Sequence, residues 1–220
     1  MYIYIGMNNT ILRDVLSRRK INLDITHRCT LLCPTCMRQI YTKKGLKVPG
    51  EDMSLSQFEK IINYFDEVLF CGQASDPIFH PEFLTFLKIL NDKGKYCQIH
   101  TAASHKPEEW YMKAFETHPW AEWRFGIDGG PETSNIYRIN QDSKKLFNIM
   151  LKSTKILKPK RTHWSYIIFS YNEDYIETAK QIAKENNIIL HIIKSSRFDK
   201  NNFYKPKNKN NYIESAMKYR

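Results

Sequence analysis

Residues 29–36 read CTLLCPTC, so Cys29, Cys33 and Cys36 fall within eight positions of a 220-residue chain that has five cysteines. Thiolates are ligands for zinc and for iron–sulfur clusters. With His27 the three could form a Cys3His zinc set. On a cubane cluster they would hold three irons and leave the fourth open to a substrate or a second cofactor. Their i, i+4, i+7 spacing also matches a buried helical stripe, but Pro34 removes a backbone donor and disfavours helical geometry at Cys33. An odd cysteine count with three clustered fits a reducing compartment better than disulfides. Cys71 and Cys97 stand apart from the cluster.

A ligating loop needs rigid elements on either side. Short β-branched and aromatic runs predict six strands, at 21–26, 67–72, 96–102, 122–128, 164–170 and 188–194. Helical patterns lie between them. Ser54 and Gln57 fit a capping box ahead of the stripe Leu55, Phe58, Ile61, Ile62 and Phe65. Pro81 and Pro107 mark helix starts, Gly94 a left-handed stop, and 142–157 and 173–186 supply two more helices. The alternation predicts an α/β fold with a parallel sheet and outer helices, a partial (βα)6 TIM-type barrel. Chemistry is then expected in the loops after the strands.

With 42% hydrophobic residues the chain can build one sizeable core. Residues 1–20 read as an N-terminal extension, 21–197 as the core domain and 198–220 as a basic tail. No secretory signal or membrane span is recognisable, so a cytoplasmic protein that does not enter a membrane is expected. Of the net charge of +11, residues 194–220 contribute +6, from eight Lys or Arg against Asp199 and Glu214. That segment reads as a solvated, partly disordered extension, with a surface for nucleic acid or an acidic partner as the alternative.

The loops carry a family likeness. CTLLCPTC resembles the CxxxCxxC motif of the radical S-adenosylmethionine superfamily, and here too it follows the first strand. After the second strand, CGQASDPIFHPEF is similar to that family's Gly-Gly-Glu-Pro segment, with Asp76 in place of the glutamate and a longer loop. After the third, HTAASHKPEEW is similar to a Thr-Asn-Gly segment, with Ala102 and Ala103 replacing Asn-Gly. After the fourth, FGIDGGPETSNIYR is similar to a Ser-x-Asp-Gly-Pro stretch with an arginine twelve positions on; Gly126 lacks the serine hydroxyl, and Arg138 falls at the twelfth position.

The resemblance implies a 4Fe-4S cluster on Cys29, Cys33 and Cys36, whose open iron chelates S-adenosylmethionine. It implies that Gly72, Gln73 and Asp76 receive the ligand's amino group, and that Thr101 and Ser104 lie near it. Arg138 is implied to meet its carboxylate or ribose, with Asp128 at the ribose or the reacting centre, and Ile168 or Phe169 against the adenine. A guanidinium is a physically apt partner for a carboxylate. The implied reaction is reductive cleavage of S-adenosylmethionine to a 5′-deoxyadenosyl radical that abstracts hydrogen from a peptide, nucleotide or RNA. The implied partner is an electron donor such as a flavodoxin or ferredoxin. No cysteine follows Cys97, so one cluster is expected. The rival expectation is a zinc- or cluster-stabilised basic module that binds nucleic acid without catalysis.

Overall fold

A computed structural model of the protein describes residues 18–72, 74–196, 198, 201 and 203–213. Six strands, β1 (Lys20–Leu23), β2 (Glu67–Phe70), β3 (Tyr96–Thr101), β4 (Glu122–Gly126), β5 (Thr162–Ile167) and β6 (Ile189–Ile193), form one sheet in sequential order. All five pairings are parallel. Six helices accompany them: α1 (Met37–Lys43), α2 (Leu55–Tyr64), α3 (Phe83–Asp92), α4 (Glu108–Thr117), α5 (Ser143–Ser153) and α6 (Ile176–Glu185). Each expected strand is present, and most end two or three residues early. There the chain leaves the ladder to build the loops that carry Cys29, Gly72 and Asp128.

Local chemistry accounts for the helix boundaries. The Ser54–Gln57 capping box is formed in both directions, and α2 buries Phe58 and Ile62. Gly94, at φ +60°, takes the left-handed stop after α3. Asp142 caps α5 by accepting from Lys145 N–H at 3.0 Å. Helix α1, which the sequence pattern does not signal, starts directly after Cys36, so the cysteine loop itself is irregular backbone.

The two faces of the sheet differ in chemistry. Val68, Phe70, Cys97, Ile99, Trp123, Phe125, Trp164 and Tyr166 are buried under the helices in one core. Phe115 of α4 meets Trp123 edge-on at 4.9 Å, and Phe147 of α5 meets Trp164 at 5.4 Å. The register puts Gln98, His100, Glu122, Arg124, Gly126, His163, Ser165 and His191 on the opposite, concave side. Among the described residues no helix is long and apolar enough to cross a membrane.

Two carboxylates tie the strand ends together. Asp76, buried after β2, accepts from Thr101 Oγ1 at 2.9 Å, Ala102 N–H at 2.8 Å, Ala103 N–H at 3.0 Å and Ile78 N–H at 3.3 Å. Its own N–H donates to Arg28 C=O at 3.0 Å, so one residue joins the loops after β1, β2 and β3. Glu173 accepts from Lys207 N–H at 2.6 Å, Asn208 N–H at 3.0 Å and Asn211 Nδ2 at 3.0 Å. Ser170 N–H donates to Tyr204 C=O at 3.1 Å, and Ile213 N–H to Ser195 C=O at 3.1 Å. Residues 203–213, expected as solvated tail, are thus laid back across the ends of β5 and β6.

Both ties are testable. In Asp76→Asn the amide nitrogen faces backbone donors that need an acceptor, so denaturant titration is expected to show a loss of about 1–3 kcal/mol. Glu173→Ala is expected to speed tryptic cleavage after Lys207 and Lys209 several-fold. Its global unfolding free energy should stay within about 1 kcal/mol of the parent, since the tie lies at the surface.

Candidate active site

Residues 27–36 run from the end of β1 to the start of α1 and are held on both flanks. On one side Arg38 Nη1 donates to His27 C=O at 2.5 Å and to Ala74 C=O at 3.3 Å, and Arg28 pairs with Asp52 at 2.5 Å. On the other, Leu32 N–H donates to Ile139 C=O at 3.0 Å, Asn140 Nδ2 donates to Thr30 C=O at 3.1 Å, and Thr35 and Tyr137 share a hydroxyl–hydroxyl hydrogen bond. Cys36 N–H closes a turn onto Cys33 C=O at 3.0 Å.

Cys29, Cys33 and Cys36 are free thiols of intermediate exposure. Burial pushes the Cys29 thiol up to about 12, with the Asp76 carboxylate adding to the effect. Burial also raises Cys33, and the Arg138 guanidinium pulls against it. Cys29 and Cys33 are therefore held as neutral thiols, which would have to release their protons to ligate a metal. Among the described residues no three His, Cys, Asp or Glu side chains are gathered as ligands of one ion. His27, the sequence candidate for a fourth ligand, has a buried Nδ1 without a hydrogen-bond partner among the described residues.

Beside the loop lies a cleft of about 270 Å³ at the ends of β2 to β6. Gly72, Asp76, Thr101 and Arg138 line it, as does Gly126. A Cβ on Gly72 would collide with Ser75, and one on Gly126 would stand 3.1 Å from both Cζ and Nη2 of Arg138. The missing serine hydroxyl at 126 is thus the room in which the guanidinium lies. Arg138 Nε is 2.8 Å from Asp128 Oδ2, and Asp128 Oδ1 accepts from Ile167 N–H at 2.8 Å. Burial acts to lower the Arg138 pKa, but the Asp128 carboxylate outweighs it, so the guanidinium stays charged. Among the described residues its terminal nitrogens make no hydrogen bond, and they remain able to take a ligand.

The hydroxyls of two further sequence candidates are engaged within the protein. Thr101 Oγ1 donates to Asp76, and Ser104 Oγ accepts from Asp142 N–H at 2.7 Å, so both hydroxyls serve the scaffold. Ile168 and Phe169 are buried, and Phe169 stacks on Tyr137 at 4.2 Å; the cleft instead receives Ile167. Gln73 lies outside the described residues. His100, Arg124, Ser165 and Ile193 also line the cleft and were not singled out from the sequence. Period-2 alternation was the available signal, since His100, Arg124 and Ser165 fall on the strand positions opposite the apolar ones.

No protein-family model matches the chain. No curated protein matches it. Solved structures do. SuiB of Streptococcus suis bound to S-adenosylmethionine matches at TM-score 0.64 and 11% identity, over 87% of this chain and 44% of that one. SuiB bound to its precursor peptide SuiA matches at 0.63 and 10%, over 80% and 39%. Native anSMEcpe with bound AdoMet and the Cp18Cys peptide matches at 0.56 and 16%, over 84% and 54%. The chain thus spans about half, or less, of the length of each of these proteins. It has the α/β fold on which these S-adenosylmethionine-bound proteins are built, the fold that the likeness of its cysteine motif to the radical S-adenosylmethionine superfamily implies.

Proposed function

We propose that this protein is a radical S-adenosylmethionine enzyme. The observation that carries the reading is the three-thiol loop set beside a cleft in which Arg138 is charged, braced by Asp128 and open at its terminal nitrogens. Cys29, Cys33 and Cys36 would hold a 4Fe-4S cluster. Such a cluster, once reduced by a donor such as flavodoxin or ferredoxin, supplies the electron that splits a sulfur–carbon bond of S-adenosylmethionine into methionine and a 5′-deoxyadenosyl radical able to abstract hydrogen.

The residues fit that group. Three thiols on one irregular loop, ahead of the helix that starts after Cys36, suit the three protein-held irons of a cubane with one open iron. Arg138 would bind the ligand's carboxylate with its terminal nitrogens while Asp128 fixes its direction through Nε. Gly72 lets backbone and Ser75 close tightly at the cleft wall. Asp76 holds that wall against the end of β3 and acts as a positioning residue. Tyr137, bonded to Thr35 and stacked on Phe169, would keep the cysteine loop in register with β5. The likeness to SuiB with its precursor peptide supports a peptide among the candidate substrates.

Anaerobic reconstitution with iron and sulfide is expected to give about four irons per chain. Cys33→Ala should lose the cluster's characteristic absorbance. Reduction in the presence of S-adenosylmethionine should then yield 5′-deoxyadenosine from the parent protein. One tightly held zinc with no 5′-deoxyadenosine would overturn the reading in favour of a metal-stabilised binding module. Gly126→Ser tests the Arg138 seat. The added Cβ, 3.1 Å from Cζ and Nη2, should shift the guanidinium by a few tenths of an ångström and weaken S-adenosylmethionine binding a few-fold by equilibrium dialysis, and Arg138→Gln should weaken it about tenfold; unchanged affinity in Arg138→Gln would remove Arg138 from the ligand.

A further inference from the structure

The interior of a parallel barrel is ordinarily filled by branched apolar side chains. Here the concave side holds a connected polar group instead. Glu122 accepts from Tyr96 Oη, from Gln98 Nε2 and from Arg124 Nε at 2.6 Å, and lies 3.3 Å from His163 Nδ1. His163 Nδ1 is 2.8 Å from His191 Nε2. Burying this much polar chemistry in a fold that does not need it costs stability, so a role beyond the fold is indicated.

The hydrogen bonds fix the state of the two members that line the cleft. Gln98 must donate its amide nitrogen to Glu122, which turns its oxygen toward His100, so His100 Nε2 carries the proton and donates at 2.7 Å. Burial, with Arg124 adding to it, depresses the His100 pKa to about 4, so the ring is neutral and Nδ1 is a lone pair. Arg124 uses only Nε on Glu122, and its terminal nitrogens make no hydrogen bond among the described residues. His100 and Arg124 are register partners on adjacent strands. They lie two residues, about 6.6 Å, deeper than the Gly126 level where Arg138 sits.

We infer that Arg124, with His100 beside it, forms the substrate subsite at the floor of the cleft and takes a carboxylate of the substrate. The inference rests on the proposed function for the word substrate, but the binding chemistry belongs to this chain alone. A planar carboxylate matches the free edge of the guanidinium. A phosphate dianion is less favoured than a carboxylate, because it would bring two negative charges to a guanidinium that the ionised Glu122 already shares, where a carboxylate brings one.

The test is a titration of the reconstituted, S-adenosylmethionine-saturated protein, labelled with 13C at histidine, with glutarate, glutaramide and inorganic phosphate. Glutarate is expected to shift the His100 resonance saturably, the resonance being identified by its loss in His100→Asn. Glutaramide should not shift it, and phosphate should bind more weakly than glutarate. Arg124→Gln should weaken glutarate about tenfold or more. Arg124→Lys, which keeps the charge beside Glu122 and so controls for folding, should fall between. Equal binding of glutaramide, phosphate as tight as glutarate, or glutarate binding indifferent to Arg124 would each overturn the subsite. Repeating the titration without cluster, beside the 5′-deoxyadenosine assay, separates the outcomes: a lost cluster reaction with retained glutarate binding overturns the enzyme reading and leaves the carboxylate site standing.

Discussion

The arrangement at the strand ends depends on one buried ion pair. Asp128 is fully buried, and Arg138 reaches it from the segment that follows β4. Removing either partner would leave an uncompensated charge in the interior, which costs about 3–5 kcal/mol in comparable cases. The pair also ties the ends of the paired strands β4 and β5 to the segment that carries Arg138. Asp128 accepts from Ile167 N–H at the end of β5, and Arg138 lies over Gly126 and acts on the Cys33 thiol. The guanidinium is therefore both a structural brace and a charge that acts on the cysteine loop.

The polar, concave face and the apolar, helix-covered face divide the work of the sheet. Phe115 and Phe147 of the helices pack on Trp123 and Trp164 of the sheet in one core. The concave face then carries its charges in pairs, Glu122 with Arg124 and Asp128 with Arg138. Each arginine is held through Nε and keeps its terminal nitrogens for something else. Two such forks at different depths of one cleft give it two ends of similar chemistry, one beside the cysteine loop and one below it.

Much of this was legible in the sequence, for identifiable reasons. The strands were readable because β-branched runs alternate with capped amphipathic helices, and the Ser54–Gln57 box and Gly94 stop are local signals that packing did not override. The cysteine loop was readable because Pro34 forbids the helical alternative. What was not legible depends on contacts between distant residues. Nothing near Glu173 announces that it will bind the backbone of 207–211, so the tail read as solvated. Ile168 and Ile167 are chemically identical in a strand pattern, and only the register decides that Ile167 faces the cleft. His100 and Arg124 sit in strands that read as structural, and their role follows from a network assembled across three strands.

The positions at which the chain departs from the family pattern compensate one another. Asp76 is one methylene shorter than a glutamate, and it is drawn in to bond the N–H groups of Ala102 and Ala103. Those residues stand where the family pattern has Asn-Gly, and alanine lets the backbone there approach a buried carboxylate without a competing amide. Ala102 in turn lies against Gly126, where a Cβ would come within 3.1 Å of it. The absence of a side chain at 126 admits both Ala102 and the Arg138 guanidinium. A side chain restored at 126 would therefore press on both Ala102 and the Arg138 guanidinium, so the glycine there and the seat of the arginine are one packing solution rather than independent losses.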